Sequence, residues 1–216
     1  MQKLLFFLFS IFLIQNSNGQ TVYFEDFDST SGTSLPAGWT QASKASDGGF
    51  LSGTELSLSS SEFPIEPGTG RFVATNDDAC NCNKSDDFLI SPYIPLDTLA
   101  SNFFLQMSVF FVKGQIGAKQ EKAFLEVSAD SGLTWKVMGQ FGASLKWQDI
   151  TVNLSEFAGK KGIQLGFRYN DDGGWLFGLG LDNIRLYMPP VNEVRLLGFS
   201  MDEYVMMGDV PVKGVI

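Results

Sequence analysis

The sequence predicts an all-β sandwich of two packed sheets. Apolar and polar residues alternate along several short runs, and turns rich in Gly, Ser, Asn and Asp divide those runs. No helix longer than Ser155–Ala158 is expected. Twenty phenylalanines among 216 residues supply the bulk for a filled core.

Met1–Gln2–Lys3 and the apolar run Leu4–Ile14 form a basic and then a hydrophobic segment, followed by the polar residues Gln15–Gln20. The run is too short to span a bilayer, so residues 1–19 read as a cleaved export signal. Thr21–Phe27 is the first expected strand, and Leu35–Pro36–Ala37–Gly38–Trp39 is a turn. Glu55–Leu58 reads as a weak strand and Arg71–Thr75 as a stronger one. Phe88–Ile94 follows, with Pro92 and Pro95 placing its end at a sheet edge or outside the ladder. Phe103, Leu105, Met107, Val109 and Phe111 share one face of a long strand. Phe124–Val127 and Trp135–Met138 flank the hairpin turn Ala129–Asp130–Ser131–Gly132. Alternation continues through Trp147–Leu154 and through Ile163–Asn170, and Leu181–Tyr187 is the last strand of the sandwich, entered from a Gly-rich loop. The domain is expected over residues 20–188. Residues 189–216 form a linker with two more strand-like runs, too few to bury a core alone. They either add to the sandwich or open a second β module that the sequence cuts off, and the second reading is preferred.

Net charge is −9, which disfavours nucleic acid and anionic membrane surfaces as partners. The chain contains no histidine. That excludes Ser-His-Asp and Cys-His triads, His-based zinc sites and the usual neutral-pH general base. Paired carboxylates remain, but Glu25 and Asp28 fall on opposite faces of a regular strand, so a glycosidase pair is not formed there. A non-enzymatic role is expected.

Asn76 to Asp87 contains four aspartates, three asparagines and both cysteines. So many hard oxygen donors without histidine suggest calcium rather than catalysis. Asp87 is a candidate ligand or loop-fixing acceptor, and Asp86 is expected in solvent. Cys80 and Cys82 are either a tight local disulfide or two free thiols; export favours oxidation, and ring closure is geometrically demanding. Asp171–Asp172–Gly173–Gly174–Trp175 is a turn ending in an aromatic residue. Trp175 either stacks on a sugar, with Asp171 and Asp172 beside it, or packs over the sheet edge. Trp39, Trp135 and Trp147 are expected in the core.

Five phrases occur in one order: Phe24–Glu25–Asp26–Phe27 with Leu35–Trp39; Asp87–Pro92; Val127–Trp135; Leu154–Lys160; and Leu181–Asp182–Asn183–Ile184. Together they resemble the cleaved-adhesin, or choice-of-anchor J, family of MAM-like domains, over roughly residues 22–187. The resemblance implies a galactose-binding-like jelly roll on secreted bacterial surface proteins, with structural calcium and outer-membrane attachment common. It also implies a binding or adhesion module, with a glycan or surface protein as partner and further domains downstream. The tail from Val191 resembles the start of an Ig-like module.

Asp182 shares strand parity with Ile184 and Leu186, so its carboxylate is expected to lean towards the apolar face. Such a group needs a cation or several donors. The first and last strands of a jelly roll lie close together, so the expected calcium set is Glu25, Asp182 and one or more of Asn76, Asp77 and Asp78. The alternative is that Asp182 caps a turn through backbone amides.

Overall fold

The computed structural model describes residues 19–68, 70–96 and 102–189, with the backbone of two short strands further on. Gln20–Pro189 forms one compact unit. Its strands are β1 (Gln20–Glu25), β2 (Thr40–Ala42), β3 (Leu51–Gly53), β4 (Phe72–Asn76), β5 (Asp87–Ile90) and β6 (Ile94–Pro95). They continue as β7 (Phe104–Phe111), β8 (Gln115–Ile116), β9 (Lys119–Gln120), β10 (Lys122–Ser128) and β11 (Lys136–Gln140). β12 (Ser144–Asn153), β13 (Gly162–Asn170) and β14 (Gly178–Met188) complete the unit.

The two sheets have the orders β12-β7-β14-β4-β3, with β1 on β14, and β11-β10-β13-β5-β2, with β6 on β13. All these pairings are antiparallel, and the result is the expected two-sheet jelly-roll sandwich. Leu105, Met107, Val109 and Phe111 from one sheet meet Leu125, Val127, Leu165 and Phe167 from the other in the main core. Burying such alternating apolar faces is the dominant favourable contribution to folding. A second cluster, Leu58, Phe63, Ile65, Phe72, Ala74 and Phe110, covers the outer face of the first sheet. β4 is therefore buried at every position, which hides any alternation in its sequence.

Two local expectations change. Glu55–Leu58 is a single helical turn, α1, rather than a strand. Ser57 takes the Thr54 N–H on its hydroxyl, and Leu58 anchors the turn in the second cluster. The last strand begins earlier than expected, because Gly178 and Gly180 belong to it. A Cβ on Gly180 would press on Trp147 and Phe110, so these glycines permit close packing within the strand. Of the tryptophans expected in the core, Trp39 is buried, while Trp135 and Trp147 are half-buried against Phe88 and Phe72.

Phe199–Ser200 and Lys213–Gly214 pair antiparallel in a separate unit. The rest of the expected second module, and all but the last residue of the expected export signal, lie outside the described residues. No helix among the described residues is long and apolar enough to cross a membrane.

Candidate functional site

The acidic stretch Asn76–Asp87 folds into a short helix and a loop at one end of the sandwich. Asn76 closes β4 and caps the helical turn α2 (Asp77–Cys80), accepting the Ala79 N–H at 3.0 Å. Its amide donates to the Leu58 carbonyl at 2.8 Å. Both ends of Asn76 are thus engaged within the protein, and the expected ligand role is replaced by a cap. Asp77 is 1% exposed, and its Oδ2 accepts the N–H of Leu176 at 2.6 Å. Asp78 is half-buried on the same turn.

Other buried carboxylates complete this end. Asp171 accepts from Lys84 N–H at 3.1 Å, Ser85 Oγ at 2.8 Å and Gly173 N–H at 2.8 Å. Glu121 accepts from Phe177 N–H at 2.6 Å, from Gly114 N–H and from the Tyr169 hydroxyl. Asp87 accepts from Thr75 Oγ1 at 2.7 Å and from Ser43, and its carboxylate pairs with Lys84 Nζ at 3.4 Å. Lys84 is fully buried and also reaches Asp47 at 2.9 Å. Each carboxylate gathers N–H or O–H donors from a different loop, because an unpartnered buried charge is costly. Burial drives the Asp77 carboxyl up to about 6; Asp171 and Glu121 add repulsion, and the Leu176 N–H and the Lys84 charge oppose the rise. Burial also raises Glu121, against the pull of its donors.

On the rim above this framework stands Trp175, 73% exposed, so the edge-packing alternative does not hold. Its neighbours in sequence are fixed: Gly173 and Leu176 donate their N–H groups to Asp171 and Asp77, and Phe177 to Glu121. Asp172 is exposed in the turn with φ 57°, and Lys119 donates to the Gly173 carbonyl from the β8–β9 hairpin. Asp171 is fully buried and serves as scaffold, which corrects its expected place beside a ligand.

The expected calcium set is not brought together. Asn76 lies opposite Gly178, four residues before Asp182 on β14, a separation of roughly 13 Å along the strand. Asn76, Asp77 and Asp78 therefore belong to a different centre from Asp182. Glu25 lies opposite Ile184, and its carboxylate turns back to accept the Phe27 N–H at 2.8 Å. The residues whose charges act on Asp182 are Asp28 and Asp26, just past the end of β1.

A bulge explains the placing of Asp182. Asp182 pairs with Ser108 and Arg185 with Gln106, so two residues of β14 oppose one of β7, and Asn183 has φ 52°. Leu179 and Leu181 are core before the bulge, and Ile184 and Leu186 after it. Asp182 is consequently out of phase with the core residues that precede it, which corrects its expected parity. It is 4% exposed and accepts the Asn183 N–H at 2.7 Å. Desolvation pushes its carboxyl up to about 7, with Asp28 and Asp26 reinforcing the shift.

Cys80 and Cys82 are joined by a disulfide, with Cα atoms 5.1 Å apart. With Asp47 they form the one group of three ligand-type side chains within 4.8 Å among the described residues. Disulfide sulfurs offer no thiolate, so this group is not a soft-metal site.

Sequence reasoning passed over Glu121, Lys84 and Asp47, and weighed Asp28 only as half of a glycosidase pair. A signal existed for Glu121, which shares parity with Ala123, Leu125 and Val127 on the inner face of β10. Asp171 likewise extends the parity of Leu165, Phe167 and Tyr169. A carboxylate in phase with a core face marks a position that needs donors.

No family model and no curated protein matches the chain. Solved structures do resemble it. Two cleaved adhesin domains of Lys-gingipain from Porphyromonas gingivalis each superpose with a TM-score of 0.53 at 15% identity. One covers 78% of this chain and 98% of its own, and the other 77% and 99%. A third cleaved adhesin domain of Lys-gingipain reaches 0.52 at 18% identity, covering 77% of this chain and 97% of its own. At these identities the likeness is one of fold, a two-sheet β-sandwich.

Proposed function

We propose that this domain is a non-catalytic binding module of an exported bacterial surface protein, of the choice-of-anchor J type. Its ligand surface is the Trp175 rim, its ligand class is carbohydrate, and calcium stabilises the fold. The observation that carries this reading is a largely exposed tryptophan on a loop whose backbone is held by buried carboxylates. An exposed aromatic of this size normally gains by burial, and a rigid loop lowers the ordering cost when a ligand covers it. Lys119 and Asp172 on the same rim add polar groups that orient a hydroxyl-rich ligand. The adhesin name of the similar domains agrees with a binding role, and export through residues 1–19 belongs to the same reading.

Calcium at Asp182 belongs to the same reading: a desolvated carboxylate whose rise Asp28 and Asp26 reinforce is relieved by a hard cation. Catalysis is not part of the proposal: the chain lacks histidine, and the carboxylates beneath the rim are buried and held by donors.

A glycan array probed with the full chain in calcium tests the ligand class. Trp175→Ala is expected to weaken any captured glycan at least about tenfold, the loss of one aromatic contact of 1.4 kcal/mol or more. Binding unaltered by this substitution would remove the rim from the proposal. Absence of any glycan ligand would instead favour a structural spacer in a larger surface protein.

A further inference from the structure

The outer face of the first sheet differs between its two halves. In one half the second apolar cluster joins Leu58, Phe63 and Ile65 to Phe72, Ala74 and Phe110. In the other half β1, β14, β7 and β12 lie side by side, and a furrow of about 240 Å³ opens across them. Phe24, Gln106, Ser108, Asp149, Asn183 and Arg185 line it. The pairing register sets this grouping. Phe24 lies opposite Arg185, Arg185 opposite Gln106, and Ser108 opposite Asp149, and directly opposed residues share a face. Asn183 reaches the same furrow from the bulge of β14, a device that re-aims side chains. Among the described residues β1 pairs with β14 alone and β12 with β7 alone, so no strand closes either end. Four strands side by side span roughly 14 Å.

The lining suits a neutral ligand with many hydroxyls. Phe24 is 51% exposed and offers a ring face on which a sugar can stack. The Gln106 and Asn183 amides each carry both donors and an acceptor. Ser108 Oγ donates to Asp149 Oδ1 at 2.7 Å, which fixes the carboxylate at the β12 side. Arg185 is held by its Nε on Thr21 Oγ1 at 2.9 Å and by the Tyr187 ring, whose centroid lies 4.9 Å from the guanidinium. A side chain already ordered in this way loses little freedom when a ligand arrives. Arg185 and Asp149 bring opposite charges into one furrow, so it matches neither an anion nor a cation. Hydroxyl groups, which donate and accept alike, match both.

We propose that this furrow is a second carbohydrate site, one that takes an internal stretch of a neutral polysaccharide laid across β1, β14, β7 and β12. Arg185 stands roughly 20 Å along β14 from Gly178, the end of the strand nearer Trp175, so the furrow is a site apart from the rim. It does not rest on the ligand reading of that rim. Two sites on one chain would add avidity for long polymers.

The test runs the full chain carrying Trp175→Ala through native gels that contain galactan, mannan, xylan or β-glucan, with polygalacturonate as the acidic contrast. The Trp175→Ala background keeps the rim out of the readout. Retardation in at least one neutral polymer is expected, and adding Phe24→Ala is expected to weaken it about fivefold or more. Adding Gln106→Ala instead is expected to weaken it about threefold. A tetrasaccharide of the retarding polymer is expected to compete at least about tenfold better than its single sugar, because it fills more of the furrow. Absence of retardation in every neutral polymer overturns the proposal, as does retardation in polygalacturonate alone. Retardation unchanged by both furrow substitutions, or equal competition by the single sugar, also overturns it. Should Phe24→Ala not fold by circular dichroism, Gln106→Ala decides: weakened retardation supports the site, and unchanged retardation overturns it. The rim is judged separately, by the unaltered chain against Trp175→Ala, so either reading can fail without the other.

Discussion

Two acidic centres lie along the same strand, β14, and they are built on opposite terms. Near its start, Asp171, Glu121 and Asp87 receive N–H and O–H donors from several loops, and Lys84 is buried among them. At its bulge, Asp182 accepts from the adjacent Asn183 N–H and faces two like charges. The first arrangement turns carboxylates into clamps that hold loop backbone in place. The second leaves a desolvated charge that the fold does not balance through the groups acting on it. Counting acidic residues would rank the two centres alike. Counting donors separates scaffold from candidate ion site.

The largest expected effect strikes the first centre. Lys84→Met keeps the buried volume but leaves Asp87 and Asp47 without their cation, at a cost of about 3 to 5 kcal/mol. Urea unfolding of the variant checks this, and a loss under about 1 kcal/mol would show that the buried pair is relieved by solvent.

A smaller effect, of unusual sign, belongs to Asp182. Its folded carboxyl is raised to about 7 from the ordinary carboxylate value of 3.8, so between those limits the folded state binds the proton more readily. In chelator, the Asp182 contribution therefore favours folding at low pH and is lost as pH rises from about 4 through 7. Melting of the metal-free chain and of Asp182→Asn between pH 5 and 8 measures it by difference. The variant should gain on the unaltered chain as pH rises, and saturating calcium should reverse that order. Parallel melting curves would break the contrast between the centres.

The smallest effect on stability is expected at the rim. Trp175→Ala should shift unfolding by less than about 0.5 kcal/mol, because the side chain is mostly in solvent. A loss above about 2 kcal/mol would make Trp175 a packing residue after all.

Much of the fold was legible locally. The alternation of Phe103, Leu105, Met107, Val109 and Phe111 announced β7, and Ala129–Gly132 announced the β10–β11 hairpin, in which Ser131 and Gly132 have positive φ. Glu55–Leu58 failed because Thr54 and Ser57 complete a helical turn that burial of Leu58 stabilises. The candidate site was legible only as composition. Asn76–Asp87 stood out as oxygen-rich, yet Asn76 is a cap, and Asp77 lies well away from Asp182.

By itself, the sequence determined an all-β sandwich, an acidic and histidine-free chemistry, and an aromatic at the end of the Asp171–Trp175 turn. Only the tertiary structure decided which carboxylates act together. Asp77 meets Leu176 across 99 positions, Lys84 meets Asp171 across 87, and the bulge at Asn183 resets the face on which Asp182 lies. Local periodicity reports which face a residue takes within its own strand. It carries no information about which distant loop supplies the N–H that a buried carboxylate requires.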